Sequence, residues 1–184
     1  MKIFLDMDGV LVNMLDSIME FHNKRILNWP KGCYNLAAPF DMTKAEIFDP
    51  LDQDFWANLP WTCDGRDILD TCIAVVGIYN ICLITEPTHS ASANGKIQWI
   101  KREIPGIDYI ITNKKAHCAG PRNILIDDCD TNIDEWDGPS ILVPKVWNSE
   151  HVRSDIINIP ALICQKLMEC EILFKEPQDG QRKV

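Results

Sequence analysis

At 184 residues, with 46% hydrophobic and 24% charged side chains, the chain fits one domain with a modest insertion. A chain of that size buries roughly two thirds of its unfolded surface, so neither disorder nor dependence on disulfides is expected. A net charge of -9 argues against binding along a nucleic-acid polymer by counterion release, but leaves room for a small anionic substrate where positive charge is concentrated locally.

Lys2 to Leu5 is a short apolar run ending at acids and Gly9, which predicts a buried strand delivering Asp6 and Asp8 to its C-terminal end. Only Lys2 and three apolar residues follow Met1 before Asp6, too few for a signal peptide. No stretch approaches the ~20 apolar residues that span a bilayer. Next comes a long interval, residues 13 to 80, in which helical spacing is read from Leu15 to Ile26, a turn at Pro30 to Gly32, a capping box at Thr43 and Glu46, and an aromatic run from Phe55 to Trp61. This interval predicts a small, mainly helical cap over residues 14–64, set into a core of residues 1–13 and 65–175.

Ile68, Leu69, Cys72, Ile73 and Val76 then predict a helix after Asp64, Ile81 to Thr85 a second strand, and Ile97 with Ile100 a helix before Pro105. Tyr109–Thr112, Asn123–Asp128 and Ser140–Val143 predict three further strands, and Asn158 with Pro160 opens a C-terminal helix before a polar, flexible tail at 176–184. Strands alternating with helices predict an α/β fold with a Rossmann-like parallel sheet covered by helices on both faces. The eight cysteines are scattered without a Cys-x-x-Cys pair and read as reduced core thiols, and the chain reads as cytosolic.

Ligands of such sheets bind beyond the carboxyl ends of the strands, where Asp6, Asp8, Thr85, Asp127 and Asp128 are expected. Four converging carboxylates with no matching cluster of bases repel one another unless a hard divalent cation, most naturally Mg²⁺, sits among them. Asp6 is placed to attack phosphorus, and Asp8 to act as general acid and then base. Gly9 permits a sharp turn with amides facing phosphate, and Thr85 with a lysine of Asn113-Lys114-Lys115 supplies donors to phosphate oxygens.

Asp6-Met7-Asp8-Gly9-Val10-Leu11, Thr85, Lys115 and Ile126-Asp127-Asp128, in that order, resemble the four motifs of the haloacid dehalogenase superfamily of phosphatases. More narrowly, Leu83-Ile84-Thr85-x-Pro87, Lys96-Ile97-Gln98-Trp99-Ile100 and Thr112-Asn113-Lys114-Lys115 are similar to the 5′(3′)-deoxyribonucleotidase group. The resemblance implies Asp6 as nucleophile, Asp8 as acid/base and backbone-carbonyl metal ligand, and Thr85 and Lys115 as phosphate binders. It implies Asp127 and Asp128 at the metal, and a nucleoside monophosphate, preferentially deoxy and pyrimidine, as substrate. Phe55 and Trp56 match its base-holding aromatics. Glu86 stands where the group has a small hydroxyl residue, and Met14 where it has an aromatic; both are counted as substrate-facing positions.

The competing readings are a phosphatase for another metabolite, such as a sugar phosphate, and a protein that binds a phosphorylated ligand without turnover. A nucleic-acid polymer and a membrane are not expected partners, and a homodimer is left open. Phe55, Trp56 and Trp61 alternatively fill the core of the cap. Trp99, Trp136 and Trp147 are read as structural, and His22, His89, His117 and His151 lack the spacing of metal ligands.

Overall fold

The computed structural model describes residues 1–153 and 157–175. Apolar side chains alternate between the two faces of its sheet. In β1 (Lys2–Leu5), β2 (Ile81–Thr85) and β4 (Asn123–Asp127), residues Ile3, Leu5, Ile81, Leu83, Ile124 and Ile126 enter one large apolar cluster. Phe4, Cys82, Ile84 and Leu125 enter a second, smaller cluster on the opposite face. Both faces are therefore dry, which explains why the strands read as continuous apolar runs.

With β3 (Asp108–Ile111) and β5 (Ser140–Leu142) the sheet has five parallel strands in the order β3-β2-β1-β4-β5. The chain winds outward from β1 through β2 to β3, then returns to place β4 beside β1, so the order reverses between β1 and β4. That reversal opens a crevice at their carboxyl ends. The expected α/β architecture is the one found.

α5 (Gly65–Val76), α6 (Ser90–Glu103) and α8 (Ile159–Lys175) supply Ile68, Cys72, Trp99, Ile100, Ile163 and Leu167 to the large cluster. α7 (Asp130–Glu135) and the residue after it cover the other face with Ile133 and Trp136. Between β1 and α5 lie four short helices: α1 (Met14–Phe21), α2 (Ala37–Phe40), α3 (Lys44–Phe48) and α4 (Gln53–Ala57). Their buried residues Ile18, Phe40, Ile47 and Trp56 join the large cluster, so this insertion shares its apolar core with the sheet.

α1 is shorter than the expected Leu15–Ile26 helix. It ends at His22, and Asn23 takes a left-handed conformation (φ 49°), a backbone state that terminates a helix and that Asn tolerates well. The capping box forms as read: Thr43 accepts from the Glu46 backbone N–H, and the Glu46 carboxylate accepts from the Thr43 backbone N–H at 2.8 Å. α4 crosses α6 at Gly95, where a Cβ would stand 2.5 Å from Gln53 O and from Trp56 Cβ. The approach is too close for any side chain at 95. The tail expected over 176–184 lies outside the described residues.

Candidate active site

The crevice opens into a cavity of about 830 Å³, walled on the sheet side by Asp6, Asp8, Gly9, Lys115 and Asp128 and on the insertion side by Met14, Tyr34, Lys44 and Phe48. Asp6 continues β1 by one residue, its N–H donating to Ile126 O at 2.9 Å. Asp127 ends β4 on the neighbouring strand. Each of Asp6, Asp127 and Asp128 offers a carboxylate oxygen, and the three oxygens lie within 4.8 Å of one another. All three residues are buried.

Two buried lysines enter this acidic centre. Lys115 Nζ donates to Asp6 Oδ1 at 2.6 Å and to Asp127 Oδ2 at 2.7 Å. Lys96 Nζ donates to Asp8 Oδ2, to Thr85 Oγ1 at 3.0 Å and to the Glu86 carbonyl. The expectation of carboxylates without matching bases therefore needs correction, because four acids face two fixed ammonium groups. An excess of two negative charges remains, which matches one divalent cation.

The acids are not equivalent. Asp127 is saturated: Oδ1 accepts from the Cys129 N–H at 2.9 Å, Oδ2 accepts from Lys115, and both oxygens meet Asn132 Nδ2 at 3.0–3.2 Å. Asp128 Oδ2 accepts from Trp147 Nε1 at 2.8 Å, while its buried Oδ1, like Asp8 Oδ1, has no hydrogen-bond partner. Buried orphan acceptors are costly, and an all-oxygen donor set with open valences suits a hard cation. Asp6, Asp127 and Asp128 are thus the grouped carboxylates able to hold one, Asp128 through its unpaired Oδ1, while Asp127 also orients Lys115.

Burial raises the Asp6 carboxyl to about 7, opposed by the Lys115 charge and reinforced by Asp127 and Asp8. Burial, then Asp6 and Asp127, likewise pushes Asp128 well above the ordinary carboxylate range. These folded-state values lie above those of the unfolded chain, so without metal the native state binds more protons between about pH 4 and 7. Stability of the metal-free protein is accordingly expected to fall as pH rises through that window. A cation competes with those protons, so the rise in melting temperature on adding Mg²⁺ should be larger at pH 8 than at pH 5. Thermal denaturation at both pH values with and without Mg²⁺ checks this, and an equal or larger rise at pH 5 would contradict it.

Gly9 is fixed by this packing. Its φ is +74°, and a Cβ there would meet Asp128 Oδ2 at 2.1 Å and Trp147 Cζ2 at 3.0 Å. Thr85 is fully buried and its hydroxyl oxygen accepts from Lys96, which leaves its O–H free to donate elsewhere. Lys114 is exposed, with Nζ 4.0 Å from Glu135, so Lys115 is the lysine of the pair that reaches the acids. Glu86 is exposed on the cavity wall; its backbone carbonyl, not its carboxylate, meets Lys96.

Met14 lines the cavity as expected, but Phe55 and Trp56 do not. Trp56 is fully buried at the α4–α6 crossing, with its Nε1 donating to Leu51 O, and Phe55 packs edge-on against Phe21 and Trp56. Three aromatic side chains line the cavity instead: Tyr34, Phe48 and Trp147. Tyr34 is 51% exposed, yet desolvation of its phenol and the neighbouring charge of Asp128 hold it above the usual tyrosine range. Trp147, read as structural from the sequence, touches the acidic centre directly.

His22 and His89 take structural positions rather than metal-binding ones. Their Nε2 atoms meet Ile47 O at 2.9 Å and Phe48 O at 3.1 Å, fixing α3 at the cavity wall. All eight cysteines are free. No described helix is long and apolar enough to cross a membrane. A family model described as 5′ nucleotidase, deoxy (pyrimidine), cytosolic type C protein matches residues 1–156. Among curated proteins, none matches the chain.

Proposed function

The chain belongs to the cytosolic type C deoxy-pyrimidine 5′-nucleotidase family, a family of hydrolases, and from that premise we propose that it removes the phosphate of deoxyribonucleoside 5′-monophosphates through an aspartyl-phosphate on Asp6. The observation that carries this reading is the Asp6–Lys115–Asp127 arrangement. An acid at a strand end, held by a buried ammonium 2.6 Å away, opens onto a cavity large enough for a nucleotide.

Asp6 attacks phosphorus in line with the departing 5′ oxygen, forming the O–P bond of an acyl phosphate as the ester O–P bond breaks. Asp8, two residues on, gives its proton to that leaving oxygen. The resulting carboxylate then takes a proton from the water that attacks the acyl phosphate and regenerates Asp6. Lys115 and the Thr85 hydroxyl donate to the equatorial phosphate oxygens, while Gly9, whose own N–H is taken by Val12 O at 2.9 Å, shapes the turn beside them. Asp6, Asp128 and the Asp8 carbonyl would hold a Mg²⁺ ion, whose charge would let an anionic carboxylate approach an anionic ester.

Phe48 is the ring best placed for the base. Trp147 and Tyr34 are committed to the acidic end, whereas Phe48 lies on the α3 wall. It is backed by Trp56 in a near-parallel stack, with centroids 6.4 Å apart and planes 17° apart. A base on the open face of Phe48 extends that stack. Turnover of all ribo- and deoxyribonucleoside monophosphates beside a set of sugar phosphates tests the substrate claim, and better turnover of sugar phosphates would overturn it. Phe48→Ala should raise KM for deoxynucleotides about tenfold, the scale of one lost stacking contact, with a small phosphate ester unaffected. Phe55→Ala should leave KM unchanged; the reverse pattern would return the role to Phe55.

A further inference from the structure

Three consecutive residues after β5 bond to the loop that carries Asp128. Trp147 Nε1 donates to Asp128 Oδ2 at 2.8 Å, Asn148 Nδ2 donates to the Asp128 carbonyl at 2.9 Å, and the Ser149 N–H donates to Asp130 Oδ2 at 3.1 Å. Asn148 is fully buried and also bonds Val143 O, the Lys145 N–H and the Glu150 N–H, so it locks the segment's own shape. The preceding residue faces the insertion: Val146 O accepts from Gly32 N–H at 2.9 Å, two residues before Tyr34.

We propose that Trp147 is a positioning residue for the cation site, presetting Asp128 so that its unpaired Oδ1 faces the cavity, and that Val146 to Ser149 joins this setting to the insertion loop bearing Tyr34. A carboxylate attached through one Cβ rotates freely unless one oxygen is pinned. Here the indole N–H pins Oδ2, and both groups pack against Gly9 closely enough that a Cβ there would be 2.1 Å from Oδ2 and 3.0 Å from Trp147 Cζ2. The indole N–H is a donor only and cannot take a cation for itself, which leaves Oδ1 as the free valence. Groups that orient a metal ligand in this way are typically worth about 10- to 100-fold in metal affinity or activity.

The proposal rests on the reading of the acidic centre as a divalent-cation site, and calorimetric titration of the substrate-free protein with Mg²⁺ separates the two. Trp147→Phe keeps the ring and loses the donor. It should weaken Mg²⁺ binding by about 10- to 100-fold, raise the Mg²⁺ needed for half-maximal activity in parallel, and leave kcat at saturating Mg²⁺ within about threefold. Trp147→His restores a ring N–H and should recover part of the affinity. Should the phenylalanine variant fail to fold, Trp147→His against Trp147→Leu makes the same comparison of donor with no donor. Wild-type binding with an unchanged constant in the donor-free variants overturns the positioning role alone. Absence of Mg²⁺ binding by the wild type overturns the cation site and the proposal with it.

Discussion

Asp6→Asn is expected to abolish measurable phosphatase turnover, a loss of about 10⁴-fold or more, because the amide oxygen is not a competent nucleophile and no other carboxylate replaces it on β1. Asp8 is occupied by Lys96, Asp127 is saturated by four contacts, and Asp128 projects from β4 with one oxygen held by Trp147. The substitution is nearly isosteric, so the loss should not come from unfolding. It also removes one negative charge from a centre in which Asp127 and Asp8 both raise the Asp6 carboxyl. The metal-free variant should therefore melt no lower than wild type at pH 8, and it should still bind deoxynucleotide. Acid quenching during turnover of a labelled substrate should trap covalent phosphate on the wild type and none on the variant. Retention of more than a tenth of wild-type activity would refute the phosphoenzyme.

The centre of the sheet was legible because β1, β2 and β4 are buried on both faces and end at polar residues, which marks each strand's end as well as its existence. Asp6, Thr85 and Asp127 all terminate such runs, and their convergence follows from the parallel topology without any knowledge of side-chain detail. Lys115 needed the added step of a resemblance, because Asn113-Lys114-Lys115 does not say which lysine turns inward. The structure gives the physical difference: Lys115 is 5% exposed, whereas Lys114 reaches only toward Glu135 at the surface.

The insertion was less legible. Its helices run four to eight residues, too short for the 3.6-residue period to show which face is buried. Only local chemistry survives at that length, so the Thr43–Glu46 capping box could be read while the side-chain directions of Phe48 and Trp56 could not. Phe55 and Trp56 carry the expected aromatic identity, yet the Gly95 crossing draws α4 against α6 and turns Trp56 into core. Trp147 lies beyond β5, where no motif marks it; the one available signal was its short sequence distance from a strand adjoining β4.

Lys96 was visible only as part of a resemblance and was given no role, since a lysine on a helix reads as solvated surface. It is fully buried instead, with Nζ shared among Asp8, Thr85 and the Glu86 carbonyl and lying 5.1 Å from the Trp56 ring centroid. One ammonium group thus joins the carboxyl proposed as acid/base to the hydroxyl proposed to bind phosphate. Lys96→Met keeps length and apolar volume but leaves Asp8 with neither oxygen paired, because Oδ1 already lacks a partner. Unpairing a largely buried charge costs about 3 kcal/mol or more, which denaturant unfolding should detect. Turnover should drop about 10²- to 10³-fold through misplacement of the proton donor, with a smaller change in KM. A loss of stability alone could come from any core lysine, so the deciding measurement is a double-mutant cycle. If Lys96 acts through Asp8, Asp8→Asn should cost far less in the Lys96→Met background than in wild type. Additive losses in kcat would reduce Lys96 to a structural residue, and would leave Asp8 to be positioned by its backbone turn alone.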